Sequence, residues 1–435
     1  MSTPISAPQR SAGAALRVVP GVMTAGAVAA AAIPAAEYLG TRVLGFEDSP
    51  VSAVMVALLL GMVLGNIREL PNILQPGLAF SMKRVLRIGV VLLGIRISVG
   101  EVLRVGAVAL PLVTVCVVGA LVIVRILSDR FGVAPKLGTL IAVGTSICGV
   151  SAIVAAAPTI DAAEEDTSYA ISTITIFGLI ALLLYPFLAH SVFGGMHTAI
   201  GYFLGTAVHD TSQVTGAALL YSELYAAPAV IDVATVTKLL RNSLMALVIP
   251  VIAIQHRERG IPDDVDTRAA NGAGGADEAR GGGATAGGGD VAHNDLGNPG
   301  AARRAMRAHV VQGTRETKVI WPPGWAEVAR YIPLFVVGFV LMSVLRTLGD
   351  ISVWRFERAF WIVSPEHWNA AVAAVSQTAV YALVVALAAV GARTRLRRLL
   401  TLGAKPFFVG LAAAATVGVL STGLIFAART MIAGL

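Results

Sequence analysis

Charge is scarce in this chain. Only 14% of its 435 residues are Asp, Glu, Lys or Arg, against 56% hydrophobic, whereas a soluble domain carries about 25% charged residues. With a mean hydropathy of +0.76, this excludes an ordinary water-soluble globule and makes the lipid bilayer the first partner. Cysteine is nearly missing. Cys116 and Cys148 both fall in apolar runs without a partner at metal or redox spacing, so neither a zinc site nor a disulfide framework is expected. HExxH, GxSxG and Walker signatures are absent, which removes the usual metallo- and serine hydrolases and ATP-driven pumps. The net charge of +7 is not a nucleic-acid footprint, because the basic residues sit at the ends of apolar runs, where they orient a protein in a bilayer. No cofactor and no metal is called for.

What is present is a series of apolar segments. Eleven are read: 18–39, 50–64, 85–97, 105–127, 136–158, 169–188, 196–220, 229–254, 328–345, 368–390 and 406–427. The first reaches ~20 residues, enough to cross a bilayer, and is expected to stay on as an uncleaved helix although Ala31 to Ala36 offers cleavage-type small residues. Residues 1–257 hold eight segments and 321–435 hold three. The intervening 258–320 is Gly/Ala-rich with almost no large apolar residue, a composition that cannot offset its ordering entropy, so a disordered cytoplasmic loop is expected. The predicted fold is an all-α polytopic membrane protein.

If every segment crosses once, the clusters at Arg10/Arg17, Arg68 with Lys83 to Arg87, Arg125/Arg130/Lys136, Arg257 to Lys318 and Arg393 to Arg398 all share one face. The positive-inside rule then makes that face and the N-terminus cytoplasmic, in an inner or plasma membrane. The acidic turn Asp161 to Asp166 falls on the opposite face.

Segment five contains poor helix material at its centre, Val143-Gly144-Thr145-Ser146-Ile147-Cys148-Gly149-Val150-Ser151-Ala152-Ile153-Val154-Ala155-Ala156. Leu204 to Ala217 in segment seven matches it without gaps at Gly, Thr, Ser and Ala. Hydrocarbon tolerates a loosened helix only against protein or a wet cavity, so the pair predicts two broken segments in a transporter core. Whether each crosses or turns back as a re-entrant hairpin is left open. A second match, Gly94 to Ala107 with Gly391 to Ala404, joins segment pairs that run in opposite directions, as inverted repeats do.

Broken helices present free N–H groups that hold anionic substrates near the midplane. Thr145, Ser146, Cys148, Gly149, Ser151, Thr206, Thr211, Ser212 and Gln213 are therefore candidate substrate contacts, with helix packing as the alternative for small hydroxyl residues. His209 and Asp210 are costly at membrane depth. They read either as a proton-relaying coupling pair or as a structural pair holding the break. Lys238 and Arg241, three apart on one helix face, are candidate partners of Asp210, Asp232 or an anion, unless both lie near a surface. Thr173 and Thr175 read as packing or back-bonding hydroxyls. The acidic turn resembles the paired-carboxylate motif of membrane prenyltransferases, but Asp263, Asp264 and Asp266, the only second set, fall in the Gly/Ala stretch.

Taken together, GTSICGVSAIVAA, DTSYAISTITIFGLIALLLYP, GTAVHDTSQVTGAALLY and ATVTKLLRN, with VVLLGIRIS and ALAAVGARTRLRRLLTLGAKP, resemble the YeiH-type family, which carries the label sulfate exporter. The resemblance covers nearly the whole chain outside the N-terminus and the Gly/Ala loop. It implies a polytopic inner-membrane protein related in fold to the cation–proton antiporter and bile-acid-symporter superfamily, with inverted repeats and a core moving against a panel. Asp210 stands where that family often has Glu.

The expected function is secondary export of a small anion, sulfate or a related sulfur oxyanion, by alternating access with proton coupling. A sodium-coupled organic-acid carrier is the alternative within transport. Outside it stand a membrane enzyme using Asp161 to Asp166 and a non-transporting sensor or scaffold. A homo-oligomer is compatible with all of them.

Overall fold

The computed structural model describes residues 11–43, 45, 51–67, 69–258, 333–394 and 404–433. The Gly/Ala-rich loop expected at 258–320 lies almost wholly outside the described residues. Those that are described form helices, with an isolated bridge between Ala359 and Val363 as their one strand-like contact.

Helix α1 (Ser11–Tyr38) packs on α2 (Ala53–Ile67). A short α3 (Gln75–Phe80) passes through a π turn at Ser81–Val85 into α4 (Leu86–Leu93). Helix α5 (Val99–Arg130) starts at a capping box in which Ser98 and Glu101 satisfy each other's backbone N–H. Then come α6 (Pro135–Ser146), α7 (Val150–Ala156), α8 (Glu164–Phe193), α9 (His197–Ala207), α10 (Thr211–Tyr225), α11 (Ala229–Ser243) and α12 (Met245–Glu258). After residue 332 follow α13 (Leu334–Phe356), α14 (Pro365–Arg393), α15 (Ala404–Ala427) and α16 (Arg429–Ala433). Helix α14 is started by Ser364, whose hydroxyl accepts the His367 N–H.

Among the described residues, seven helical stretches are long and apolar enough to cross a membrane: Arg17–Val43, Val99–Arg130, Glu164–Phe193, Ala229–His256, Leu334–Phe356, Pro365–Arg393 and Phe407–Ala427. Helix α2, at 15 residues, is about 22 Å long at 1.5 Å per residue. Gly61 and Gly65 of α2 and Gly391 of α14 let those two helices approach backbone to backbone, since a Cβ at any of the three would strike a main-chain carbonyl across the contact.

Segments five and seven do not run from one side of the molecule to the other. Lys136, at the start of α6, donates to the Asp161 carbonyl just past the end of α7 at 2.9 Å. The chain has therefore come back to where it entered. Likewise His197, at the start of α9, lies 3.4 Å from the Tyr221 hydroxyl near the end of α10. Both segments are hairpins with their breaks as tips, and α8 joins the base of one to the base of the other. They enter from opposite ends of the molecule and are inverted with respect to each other. Two of the eleven expected crossings become re-entrant turns, which removes two passes and leaves the shared face of the basic clusters unchanged. The acidic turn is a correction. Asp161 sits beside Lys136, on the same face as Arg125 and Arg130 rather than opposite it.

The second repeat match also sits at opposed ends. Gly94 packs against Phe339, while α4 runs antiparallel to α14, with Gly89 against Leu383 and Arg96 bonded to Ser376 at 3.0 Å. Gly391, against Leu58, is therefore at the far end from Gly94.

Candidate functional site

The two tips meet. Gly149, at φ +68°, is so close to Asp210 that a Cβ added to it would lie 3.3 Å from the Asp210 Cβ. At each tip a helix has just ended and its last carbonyls have no intrahelical partner. These carbonyls carry the negative ends of the α6 and α9 dipoles, and in a dry interior they require donors.

Helix α11 supplies the donors. Arg241, 1% exposed, donates from Nε to the Ser146 carbonyl at 2.7 Å and from Nη1 to Thr206 at 2.7 Å and Val208 at 3.0 Å. Its Nη2 donates to the Thr145 carbonyl. Lys238, also 1% exposed, donates to the carbonyls of Ile147 at 3.0 Å, Val208 at 3.2 Å and His209. An ammonium has three donors, and all three are used. Thr145 and Thr206 occupy the same place in the two motifs, as do Ile147 and Val208. Each cation thus binds equivalent carbonyls from both hairpins.

The helices leaving the tips, α7 and α10, point their N-termini the other way. Between them and the π turn at Ser81–Val85, α4, α8, α13 and α14 lies a cavity of about 630 Å³. Its polar floor is Ser151, Ser172, Thr175, Asp210, Thr211, Ser212, Gln213 and Asn242. One wall is apolar, with Leu86, Val90, Val154 and Ile171, and Lys83, Arg87 and Arg393 line it as well. Lys83 lies in the π turn, a local defect of the kind often found at functional sites. Arg87 stacks over Phe335, 5.8 Å from the ring centre.

Of the residues singled out from the sequence, Cys148, Ser151, Asp210, Thr211, Ser212 and Gln213 line this cavity. Lys238 and Arg241 do not: they are deep in the helix bundle, not near a surface, and their donors face backbone carbonyls. Asp232, one of their suggested partners, pairs instead with Arg96 at 3.0 Å. Thr145 and Ser146 turn their hydroxyls back onto Ile141 and Ala142, and Thr206 bonds Tyr202 and Ser421, so these three contribute carbonyls rather than hydroxyls. Gly149 contributes its close approach to Asp210.

His209 and Asp210 are neighbours in sequence without being paired in space. Asp210 caps α10, accepting from the Ser212 N–H at 2.9 Å and the Ser212 hydroxyl at 2.6 Å, while Gln213 accepts the Asp210 N–H at 3.1 Å. His209 is fully buried, and neither ring nitrogen has a hydrogen-bond partner. Thr175 back-bonds to Ile171, as expected, and its carbonyl accepts from the Gln213 amide.

Sequence reasoning misses Lys83, Arg87, Arg393, Ser172 and Asn242 as cavity residues. In the sequence the first three read only as markers of orientation. Asn242 carried a signal, since it is a polar residue one position from Arg241 in an apolar run. Its amide donates to Thr211 at 3.0 Å, and its carboxamide oxygen is buried without a partner.

Comparison with known proteins places the chain among membrane proteins. The profile of the family described as "Conserved hypothetical protein 698" matches residues 25–265 and 322–410. The chain belongs to this family. The resemblance read from the motifs is borne out, because the relatives are UPF0324 membrane proteins. Atu0671 of Agrobacterium fabrum is 27% identical over 94% of this chain and 92% of its own length. TauZ of Paracoccus denitrificans is 28% identical over 81% of each chain. A UPF0324 membrane protein of Streptococcus pneumoniae serotype 4 is 38% identical over 45% of this chain, a match spanning 56% of the streptococcal protein. The protein is a multi-pass membrane protein.

Proposed function

We propose that this member of the family is a secondary transporter that moves a small anion by alternating access. The observation carrying this reading is the pair of inverted hairpins whose tips meet on a cavity lined by hydroxyls and three basic side chains. Oriented helix N-termini, hydroxyls and nearby Lys and Arg are the groups that favour an anion in a partly dry site. Lys83, Arg87 and Arg393, exposed residues of the cavity lining, belong to the basic clusters, whose face the positive-inside rule makes cytoplasmic. Export of sulfate or a related sulfur oxyanion, the label carried by the resembling family, fits a site loaded from that side.

A carrier is favoured over an enzyme because the acidic turn lies outside this cavity, and among the described residues no group of three His, Cys, Asp or Glu is placed to hold a metal ion. A second transport reading has an observation of its own. The apolar wall formed by Leu86, Val90, Val154 and Ile171 suits an organic acid better than a bare inorganic oxyanion.

Reconstitution in liposomes tests both. Labelled sulfate and a panel of small carboxylates and sulfonates are loaded, and efflux is followed with and without proton and sodium gradients. Flux of sulfate supports the first reading, and flux confined to carbon-bearing anions supports the second. Absence of flux for every anion in every gradient overturns the transporter assignment.

A further inference from the structure

Seven hydrogen bonds from two fully buried cations converge on the hairpin tips, yet among the described residues no carboxylate forms a salt bridge with either cation. Among the described residues the salt bridges are Arg96–Asp232, Arg125–Asp129 and Arg346–Asp350. The cationic charge of Lys238 and Arg241 is held by main-chain dipoles. Cages built from carbonyl oxygens bind monovalent cations by replacing their hydration shell, and the C-terminal ends of half-helices in transporters coordinate coupling ions in the same way.

We propose that the tip carbonyls form a cation site which the chain fills with its own side chains, and that the Lys238 ammonium stands where an exchangeable cation would otherwise bind. Lys238 is then a positioning residue. By taking Ile147 from one hairpin and Val208 and His209 from the other, it joins two inverted elements through a fixed charge. Arg241 repeats the junction on Thr145, Ser146, Thr206 and Val208. Two consequences follow. The two tips travel as one body instead of opening past each other. The carbonyl ends also carry no exchangeable ion, so any coupling ion binds elsewhere. The cation site itself depends neither on the identity of the cargo nor on transport.

The test is chemical rescue of the emptied site. Thermal unfolding of the purified full-length protein and of Lys238→Ala is measured in the chlorides of methylammonium, ammonium, sodium, potassium and N-methylglucamine, at equal concentration and pH. A ligand that binds only the folded state raises the midpoint in proportion to its occupancy. The wild-type midpoint is expected to be the same in all five salts. Lys238→Ala is expected to unfold at lower temperature in N-methylglucamine, which is too large for the site, and to recover most of that loss in methylammonium or ammonium. A purely structural lysine would show the loss without the recovery. A Lys238→Ala midpoint that is equal in every salt overturns the proposal, as does one that matches wild type. If the alanine variant cannot be recovered folded in any salt, Lys238→Ser is scored in the same way. Anion flux is not part of the readout, so failure of the cation site and failure of the transporter reading are separable.

Discussion

Gly149 lies face to face with Asp210, and the two occupy the same position in the two repeated motifs. One is a glycine in a backbone conformation closed to L side chains, at φ +68° and ψ −125°. The other is a carboxylate capping the helix that leaves its own tip. The inverted repeat has thus diverged at its point of contact, with space on one side and charge on the other. Gly149→Ala should lose about 1–3 kcal/mol of stability from backbone strain, before any crowding of Asp210. Gly423→Ala is the control, since a Cβ there meets nothing within 4 Å. Denaturation in detergent should rank the first well below wild type and the second at or above it.

Arg241 and Arg96 should respond very differently to loss of charge. Arg241→Met leaves the buried carbonyls of Thr145, Ser146 and Thr206 without their donor, Val208 keeping that of Lys238, and an unsatisfied buried group costs about 1–3 kcal/mol. The variant should lose at least ~3 kcal/mol or fail to accumulate. Asp232→Asn weakens a pair whose side chains are 19% and 20% exposed, for which about 1 kcal/mol is expected. Folded yield and unfolding midpoint distinguish the two, and equal losses would contradict the assignment of Arg241 as the structural centre.

Lys83 and Arg87 are exposed at the cavity, so their removal should act on the anion more than on the fold. Substitutions at such surface positions usually change stability by no more than about 0.5 kcal/mol. A partly solvated charge facing an anion is worth about 1 kcal/mol, so Lys83→Ala and Arg87→Ala should each raise the half-saturating anion concentration roughly three- to tenfold. Added inert salt should shrink the difference. Concentration-dependent flux in liposomes measures it.

The folded-back path of both segments can be read from accessibility. In a background with Cys116 and Cys148 replaced, Lys136→Cys and Asp161→Cys should react with an impermeant maleimide from one side of the membrane. Met196→Cys and Ala226→Cys should react from the other. Opposite sidedness for residues 136 and 161 would restore a crossing segment five and rule out the hairpin.

Asp210 should behave as a cap as well as a cavity group. Asp210→Ala removes an acceptor for the Ser212 N–H and should cost about 1 kcal/mol. Asp210→Asn, which keeps an acceptor oxygen, should restore most of that stability while removing the cavity's carboxylate charge. Comparing their unfolding midpoints with their anion flux separates the two roles.

Much of this site was legible before any coordinates. The small, glycine-bearing centres of segments five and seven mark breaks because they are poor helix formers. The intramembrane Lys238 and Arg241 announced that something had to satisfy them. The family motifs, the repeat and the single basic face were all there to be read.

The path of the chain was not. A broken segment of 23 residues has the same composition whether it crosses or turns back. The choice depends on whether its ends meet, which the Lys136–Asp161 contact decides. Nor could the sequence say what Lys238 and Arg241 bind. A buried cation takes whichever acceptors the fold leaves unsatisfied nearby. Here those are carbonyls 29 to 96 residues away, brought together only when two inverted hairpins dock tip to tip. Local composition determined where the helices break and which face is basic. Tertiary packing decided what the breaks are for, because an unpaired backbone dipole becomes a binding group only when another part of the chain is placed within hydrogen-bonding distance.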